Sequence, residues 1–292
     1  MTQSVDDATT PILTDRRLTP ATERVALESL RGLIARPAYT PGRPVRLQVP
    51  VADLCRAPSG ARDRQLNFGA GLTLLDHQDD WAFVQAEADG YCGWLRADQI
   101  GHDLPPITHR VIAPATHVYA EPDLKSRDLL ALSLGARLSV GAVQNGFARL
   151  AQGGWVPLQH LGDQPATDPA EVALSLLGTP YLWGGNSRWG IDCSGLAQAA
   201  LSACAIACPG DSDMQEAAFP VAEGAIQRND LLFWPGHVAM ALDSERMIHA
   251  TAYAMAVIVE PIAQAIARID AAGQGPFRGA RRPPSRPEAL FP

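Results

Sequence analysis

A cysteine standing directly before an amphipathic helix is the residue of this 292-residue chain best placed for chemistry. In the run GIDCSGLAQAALSAC, Cys193 follows Asp192 and precedes Ser194 and Gly195, polar or turn-forming neighbours that set it at a loop-to-helix boundary. The apolar stripe of that helix is built instead from Leu196, Ala199, Ala200 and Ala203. Unpaired backbone N–H groups in a first helical turn, with the positive end of the macrodipole, favour a thiolate nucleophile. A free cysteine is more often a small buried apolar residue, and the polar flanks argue against that here. Thiol hydrolysis also needs a base beside the sulfur and a group that holds the base in its useful tautomer. His237 opens the apolar run HVAMAL after Pro235 and Gly236, at a strand edge, and His249 lies in the next run beyond a DSER turn. A lone histidine is commonly a satisfied core or surface residue, but two on neighbouring strands downstream of this cysteine read as base and orienter. One obstacle remains. A two-residue turn at Ser244 and Glu245 sets His249 opposite Met240 and leaves His237 about three residues along, too far for a hydrogen bond at ~3.3 Å per residue. A bulge or another register must close the gap, or His249 is not the orienting group.

The elements that hold these groups belong to a globular chain, 47% apolar and 19% charged, with room for two or three domains. A net charge of −7 and a pI near 5.5 argue against nucleic acid or an anionic membrane surface as the main partner. The longest apolar stretch, around Ala254 to Val259, is far shorter than the ~18 residues of a membrane span. The N-terminal run MTQSVDDATTPILTDRR has acids where a secretory signal needs positive charge and no apolar core, so a cytoplasmic location is expected. Five cysteines at irregular spacing make no disulfide framework, which agrees with a reducing compartment. Cys204 and Cys208 share a helical face by spacing, but without further ligands they do not read as a zinc site. No metal and no organic cofactor is implied.

Along the chain, Thr19 as N-cap, Pro20 at N1 and the apolar positions Val25, Leu27, Leu30 and Leu33 predict a short helix within Thr14 to Leu33. From Pro44 to Leu161 short apolar runs broken by Gly, Pro and Asp predict small all-β modules. These modules repeat: GAGLTLL at 69–75 aligns with GARLSVG at 135–141, and GWLRADQIG at 93–101 with GWVPLQHLG at 154–162. The first copy carries a short extension that includes Asp89, Gly90 and Tyr91. Past the linker GDQPATDP, Asp168 and Pro169 open a helix that Gly178 closes. The Cys193 helix follows, and then strands at DLLFW, HVAMAL, MIHAT and AMAVIVE, an α+β order.

Taken in order, PYLWGG, GIDCSGL, GHVAMAL and IHA resemble the NlpC-type papain-like cysteine peptidases that cut bacterial cell-wall peptides. The likeness covers about Asp168 to Arg282, and the paired repeats look like bacterial SH3-like barrels. It implies an α+β fold in which a papain-like catalytic domain, 164–292, is preceded by two small SH3-like β-barrels, 44–103 and 104–163, after an N-terminal segment, 1–43. It further implies a γ-D-glutamyl-L-diamino acid endopeptidase acting on murein peptides with a free N-terminal L-alanine, in peptidoglycan recycling. Carried over residue by residue, Cys193 is the nucleophile, His237 the base, His249 its orienter and Tyr181 a tyrosine near the oxyanion. Asp192 and Ser194 bind the L-alanine and D-glutamate end, Asp211 and Ser212 form a second substrate motif, Trp183 lines the wall and Tyr91 roofs the pocket. An ordinary polar helix cap accounts for Asp192 and Ser194 almost as well.

Two positions depart from the family pattern. Ala70 stands where relatives have a glutamate after Phe-Gly, and Gly210 where they have an arginine after Pro. A charge-assisted contact is typically worth roughly 1.5–3 kcal/mol, so amine selection weakens unless another acid, Glu87 or Asp89, substitutes. A non-catalytic wall-peptide binding protein and an amidase or acyltransferase on another substrate are the competing readings, since fold and dyad do not fix a substrate.

Overall fold

The computed structural model describes residues 15–102 and 105–285. Thr14, the first residue of the expected N-terminal helix, lies outside them, as do residues 286–292 of the expected catalytic domain. The chain divides into two compact units, residues 1–104 and 105–292.

In the first unit the predicted helix does not form. Val25–Leu27 (β1) pairs in parallel with Ala38–Thr40 (β2), and Glu28–Leu30 makes a single 3-10 turn. Thr19 caps nothing: its hydroxyl donates to the Asp15 carbonyl, and the Leu27 N–H returns to the Pro20 carbonyl. Burial decides against the helix, because Val25, Ala26 and Leu30 are buried while Leu33 is 55% exposed, so these residues do not share one stripe. Seven further strands follow: Arg43–Leu47 (β3), Val51–Cys55 (β4), Arg62–Asn67 (β5), Gly71–Gln78 (β6), Trp81–Ala86 (β7), Cys92–Arg96 (β8) and Ile100–Gly101 (β9). They join one sheet in the order β5-β4-β8-β7-β6-β3-β9, and Leu75, Phe83, Cys92 and Trp94 cluster in its core. The N-terminal segment is tied to this sheet by ion pairs from Arg16 to Asp63 and from Arg24 to Asp76.

The second unit begins with the same succession of elements. His109–Val111 (β10), Ala115–Tyr119 (β11), Asp128–Ser133 (β12), Arg137–Leu138 (β13), Val140–Gln144 (β14), Phe147–Leu150 (β15), Trp155–Pro157 (β16) and Leu161–Gly162 (β17) form sheets ordered β12-β11-β16-β15-β14 and β13-β10-β17. In each copy the strand that carries Gly-Trp is followed by a 3-10 turn and a two-residue strand. The sequence repeat is thus a repeat of structure.

Asp168 then caps Pro169–Ser175 (α1) by accepting from the Ala170 N–H, and Gly178, at φ +76, follows the helix end. The short pair Asn186–Ser187 (β18) and Gly190–Ile191 (β19) leads into Cys193–Ala203 (α2), and Ser212–Ala218 makes α3. Leu231–Trp234 (β20), His237–Ala241 (β21), Arg246–Thr251 (β22), Ala256–Pro261 (β23) and, after Ile262–Ala271 (α4), Gly279–Arg281 (β24) form an antiparallel sheet ordered β23-β22-β21-β20-β24. Period-two alternation divides its side chains: Phe233, Val238, Met240, Ile248 and Ala250 pack with α2, whereas Leu232, Trp234, Ala239 and Met247 pack with Ile262, Ala265 and Ile269 of α4. Because α2 ends at Ala203, with Cys204 at its C-cap and Ala205 at φ +58, Cys204 and Cys208 do not share the helical face that their spacing implied. No helix among the described residues is long and apolar enough to cross a membrane.

Gly195, in the first turn of α2, comes so close to the preceding loop that a Cβ there would stand 2.4 Å from the Gly185 carbonyl oxygen. Backbone cannot yield cheaply, so Gly195→Ala is expected to cost about 1–3 kcal/mol despite alanine's better helix propensity. A urea-unfolding midpoint equal to or above that of the wild type would contradict this.

Candidate active site

The loop ahead of α2 is organised by one carboxylate. Asp192 Oδ1 accepts from the Gly195 N–H at 2.7 Å and the Ser194 hydroxyl at 3.1 Å, and Oδ2 accepts from the Gly184 N–H at 2.8 Å. Asp192 is therefore the N-cap of α2, and Ser194, buried, completes the cap. Burial raises the Asp192 pKa against the pull of these three donors, and the Asp211 carboxylate adds to the rise. Cys193 is the first helical residue and only 8% exposed. Its sulfur meets the N–H groups of Ser194 and of Val238, the residue after His237 on β21.

The expected thiolate is not what this environment favours. Burial first, and the Asp192 carboxylate second, push the Cys193 thiol up to about 12, and the backbone N–H groups do not offset them. The helix terminus supplies partial charges, whereas removal from water disfavours a whole one. In this environment Cys193 is held as a thiol.

His237 is placed by a tight turn. Trp234 pairs with His237 across the two-residue hairpin Pro235-Gly236, in which Gly236 adopts φ +69, a left-handed value that suits glycine. On the other side of β21, Met240 pairs with Ile248 and Ala241 with Met247, and the Leu242 N–H donates to the Arg246 carbonyl. The loop is one residue longer than the plain turn at Ser244 and Glu245, and the ladder shifts by one. Continued, this register sets His249 beside Ala239 on the same face as His237, a diagonal pair within side-chain reach. His237 Nε2 and His249 Nδ1 are 2.8 Å apart.

Behind this pair stand two residues that sequence reasoning missed. His249 Nε2 lies 2.7 Å from Glu260 Oε1, at contact distance though off the line of an ideal hydrogen bond, and the same oxygen pairs with Arg268 of α4. The Arg268 guanidinium sits 4.2 Å from the centroid of the Tyr253 ring. Glu260 pairs with Met247 across β22 and β23, which turns it to the α4 face with both histidines. A glutamate interrupting the apolar run AMAVIVE was the available signal. Burial, then His249 and Arg268, push His237 down to about 3 against the opposing pull of Glu260, and burial followed by Arg268 pushes His249 down to about 4. Both imidazoles are neutral at neutral pH, and among the described residues no hydrogen bond joins the sulfur to His237 at rest. The chemistry this arrangement offers is acyl transfer in which a neutral imidazole removes the thiol proton as attack proceeds.

Tyr181 is half-buried, and its backbone N–H donates to the Met255 carbonyl at 2.9 Å. Burial, then the Cys193 and Asp192 charges, push its phenol up to about 12, so it stays an O–H donor. Asp211 and Ser212 form the start of α3, near enough for the Asp211 charge to act on Asp192. A third missed residue, the fully buried Gln215, fastens α3 to α2 by donating to the Ser194 and Pro209 carbonyls at 3.0 and 2.9 Å. Trp183 is 69% exposed. Tyr91 belongs to the first unit, where it is buried with the Arg64 guanidinium 5.1 Å from its ring centroid. Asp89, proposed above as a substitute acid, is itself buried and ion-paired with Arg64, so its charge is already spent.

Residues 54–100 match a family described as the bacterial dipeptidyl-peptidase Sh3 domain, and residues 178–269 match the NlpC/P60 family. The chain is 31% identical to dipeptidyl-peptidase 6 of Lysinibacillus sphaericus, covering 64% of this chain and 79% of that protein. It is 27% identical to a γ-D-glutamyl-L-lysine dipeptidyl-peptidase of Bacillus subtilis, over 64% of this chain and 71% of the relative. An NlpC/P60 family protein of Bacillus cereus shares the fold with a TM-score of 0.70 at 22% identity, over 82% of this chain and 99% of its own.

Two measurements follow from the titration behaviour. Alkylation of Cys193 by iodoacetamide, read by mass spectrometry of its peptide, should rise about tenfold per pH unit between pH 7 and 9 without a plateau; a plateau in that range would mean a preformed thiolate. The two depressed histidines make the unfolded chain bind more protons than the native one below about pH 6.5. Their contribution is present above pH 6.5 and lost as pH falls toward about 4 and then 3, so unfolding free energy should drop over that window. Denaturant titrations should show a shallower drop in His249→Gln; an unchanged slope would refute the assignment.

Proposed function

The chain belongs to the NlpC/P60 family, and from that premise we propose that this peptidase hydrolyses the bond from γ-D-glutamate to a diamino acid in murein peptides that begin with a free L-alanine. The observation that carries the reading is Cys193 at the head of α2 with its sulfur at the Val238 N–H, one residue from the His237–His249 pair. The name of the Bacillus subtilis relative supports the γ-D-glutamyl bond as the target. Residues 105–162, with their repeated strand order, are taken as a second SH3-like barrel ahead of a papain-like domain.

In the proposed reaction His237 accepts the Cys193 proton while the sulfur attacks the γ-carbonyl carbon. Negative charge collects on the carbonyl oxygen, where N–H groups at the α2 terminus and the Tyr181 hydroxyl are the available donors. Collapse breaks the C–N bond, the amine of the diamino acid leaves with the proton from His237, and a thioester remains. Water, deprotonated by His237, releases the L-Ala-γ-D-Glu dipeptide and restores the thiol. Asp192, Ser194, Asp211 and Ser212 line the α2 and α3 starts and are assigned to the dipeptide end, with Trp183 assigned to the wall. The free L-alanine amine marks peptides already cut from the wall, and we assign the protein to cytoplasmic recycling, which cell fractionation would check.

Incubation with L-Ala-γ-D-Glu-diaminopimelate and with the lysine analogue under reducing conditions should release the dipeptide. Cys193→Ala should lower kcat by at least about 10³-fold. The neutral thiol and the changes at Ala70 and Gly210 favour a second reading, a wall-peptide binding protein. Binding by calorimetry that is equal in wild type and Cys193→Ala, without product from either, would establish that reading and overturn the first.

A further inference from the structure

Counting protons along the relay assigns a task to the residue behind it. With both imidazoles neutral, a 2.8 Å contact between His237 Nε2 and His249 Nδ1 holds one proton and admits two arrangements. In the first, His237 donates from Nε2, so its Nδ1 is bare and basic, and His249 carries its own proton on Nε2. In the second, His249 donates from Nδ1, its Nε2 is bare, and His237 holds its proton on Nδ1, where a base is needed. Both arrangements satisfy the contact between the rings. What separates them is Glu260, whose Oε1 stands 2.7 Å from His249 Nε2. The first arrangement turns an N–H toward that oxygen, at contact distance though off the line of an ideal hydrogen bond, whereas the second sets two lone pairs against each other. His249 is 0% exposed, so bulk water does not supply the missing proton. The oxygen is also anchored from behind, since Arg268 pairs with it and the Tyr253 ring covers the guanidinium. One carboxylate oxygen has lone pairs for both donors.

We propose that Glu260, held by Arg268, is a positioning residue that fixes the His249 proton on Nε2 and thereby leaves Nδ1 of His237 free to act as base. The proposal rests on His237 being that base, but its principal test does not require the peptidase reading. In full-length protein labelled with 15N-histidine, the ring nitrogens of His237 and His249 are assigned by loss of signal in His237→Gln and His249→Gln. Wild type at neutral pH should show both rings protonated on Nε2; a proton on Nδ1 of His249 would overturn the proposal whatever the enzyme cleaves. In Glu260→Leu the His249 preference should be lost, and kcat on the γ-D-glutamyl peptide should fall by about 100-fold with KM within about twofold. Glu260→Gln retains a carbonyl acceptor and should recover to within about tenfold of wild type. Unchanged tautomers in a folded Glu260→Leu protein, or equal losses in the leucine and glutamine variants, would reduce Glu260 to a structural partner of Arg268. Because the wild-type spectrum decides the tautomer by itself, a leucine variant that fails to fold does not shield the proposal.

Discussion

Strand register is the constraint on which the site depends. His237 and His249 share a face only because the loop from Asp243 to Glu245 is one residue longer than a plain two-residue turn. A shift of one residue would carry His249, with every other side chain of its strand, to the face packed by α2. The loop is fixed locally, since Asp243 Oδ1 accepts from the Glu245 and Arg246 N–H groups at 2.9 and 2.7 Å. The register is fixed globally by burial: Met247 must face α4 while Ile248 and Ala250 face α2. A contact of 2.8 Å between two rings thus inherits its precision from an Asx-type turn and two apolar faces.

Desolvation sets the ionisation of the same site. Cys193, His237 and His249 all sit where their charged forms are disfavoured, and the nearby partial charges do not reverse this. In the proposed reaction a buried thiol and a buried neutral imidazole exchange a proton without either being a stored ion. The charge that appears during attack is then met by fixed dipoles, which is where preorganised donors have most effect. Ion pairing is kept one step back, in Glu260 and Arg268, where the exposed edge of Arg268 lightens the desolvation cost.

Much of this was legible in the sequence because it rests on local rules. Asp168 and Pro169 announce α1, Asp192 and Cys193 announce α2, and the Gly-Trp repeats announce two copies of one strand order. The failures share a cause, which is that tertiary context outweighs local preference. Thr19 and Pro20 carry helix-start chemistry, yet pairing of β1 with β2 and the burial of Val25 and Ala26 prevail. Cysteine at a helix terminus implies a thiolate by short-range electrostatics, but its burial is a property of the packed sheet and outweighs the dipole. Glu260 was missed for the converse reason: a charged residue closing an apolar run is a visible signal, but it acquires a role only when β22 and α4 are brought against it.

The helix that carries Cys193 is constrained at both ends, and the two ends draw on different parts of the second unit. Asp192 satisfies donors of the first turn, where the unpaired N–H groups lie. At the other end the Ala203 carbonyl accepts from the Ala166 N–H at 2.9 Å, while the Arg110 guanidinium lies 3.4 Å from the Ser202 and Ala203 carbonyls. Arg110 belongs to β10, so a strand of the preceding β-module places its cation at the negative end of the helix that carries Cys193. A further tie runs from the Arg188 N–H to the Ser133 hydroxyl at 2.8 Å, in the loop that leads to Cys193. Leu134 extends the contact by joining the apolar core beneath α2. The module ahead of the catalytic fold therefore acts on the sulfur's position through the backbone ends of one helix and the loop before it.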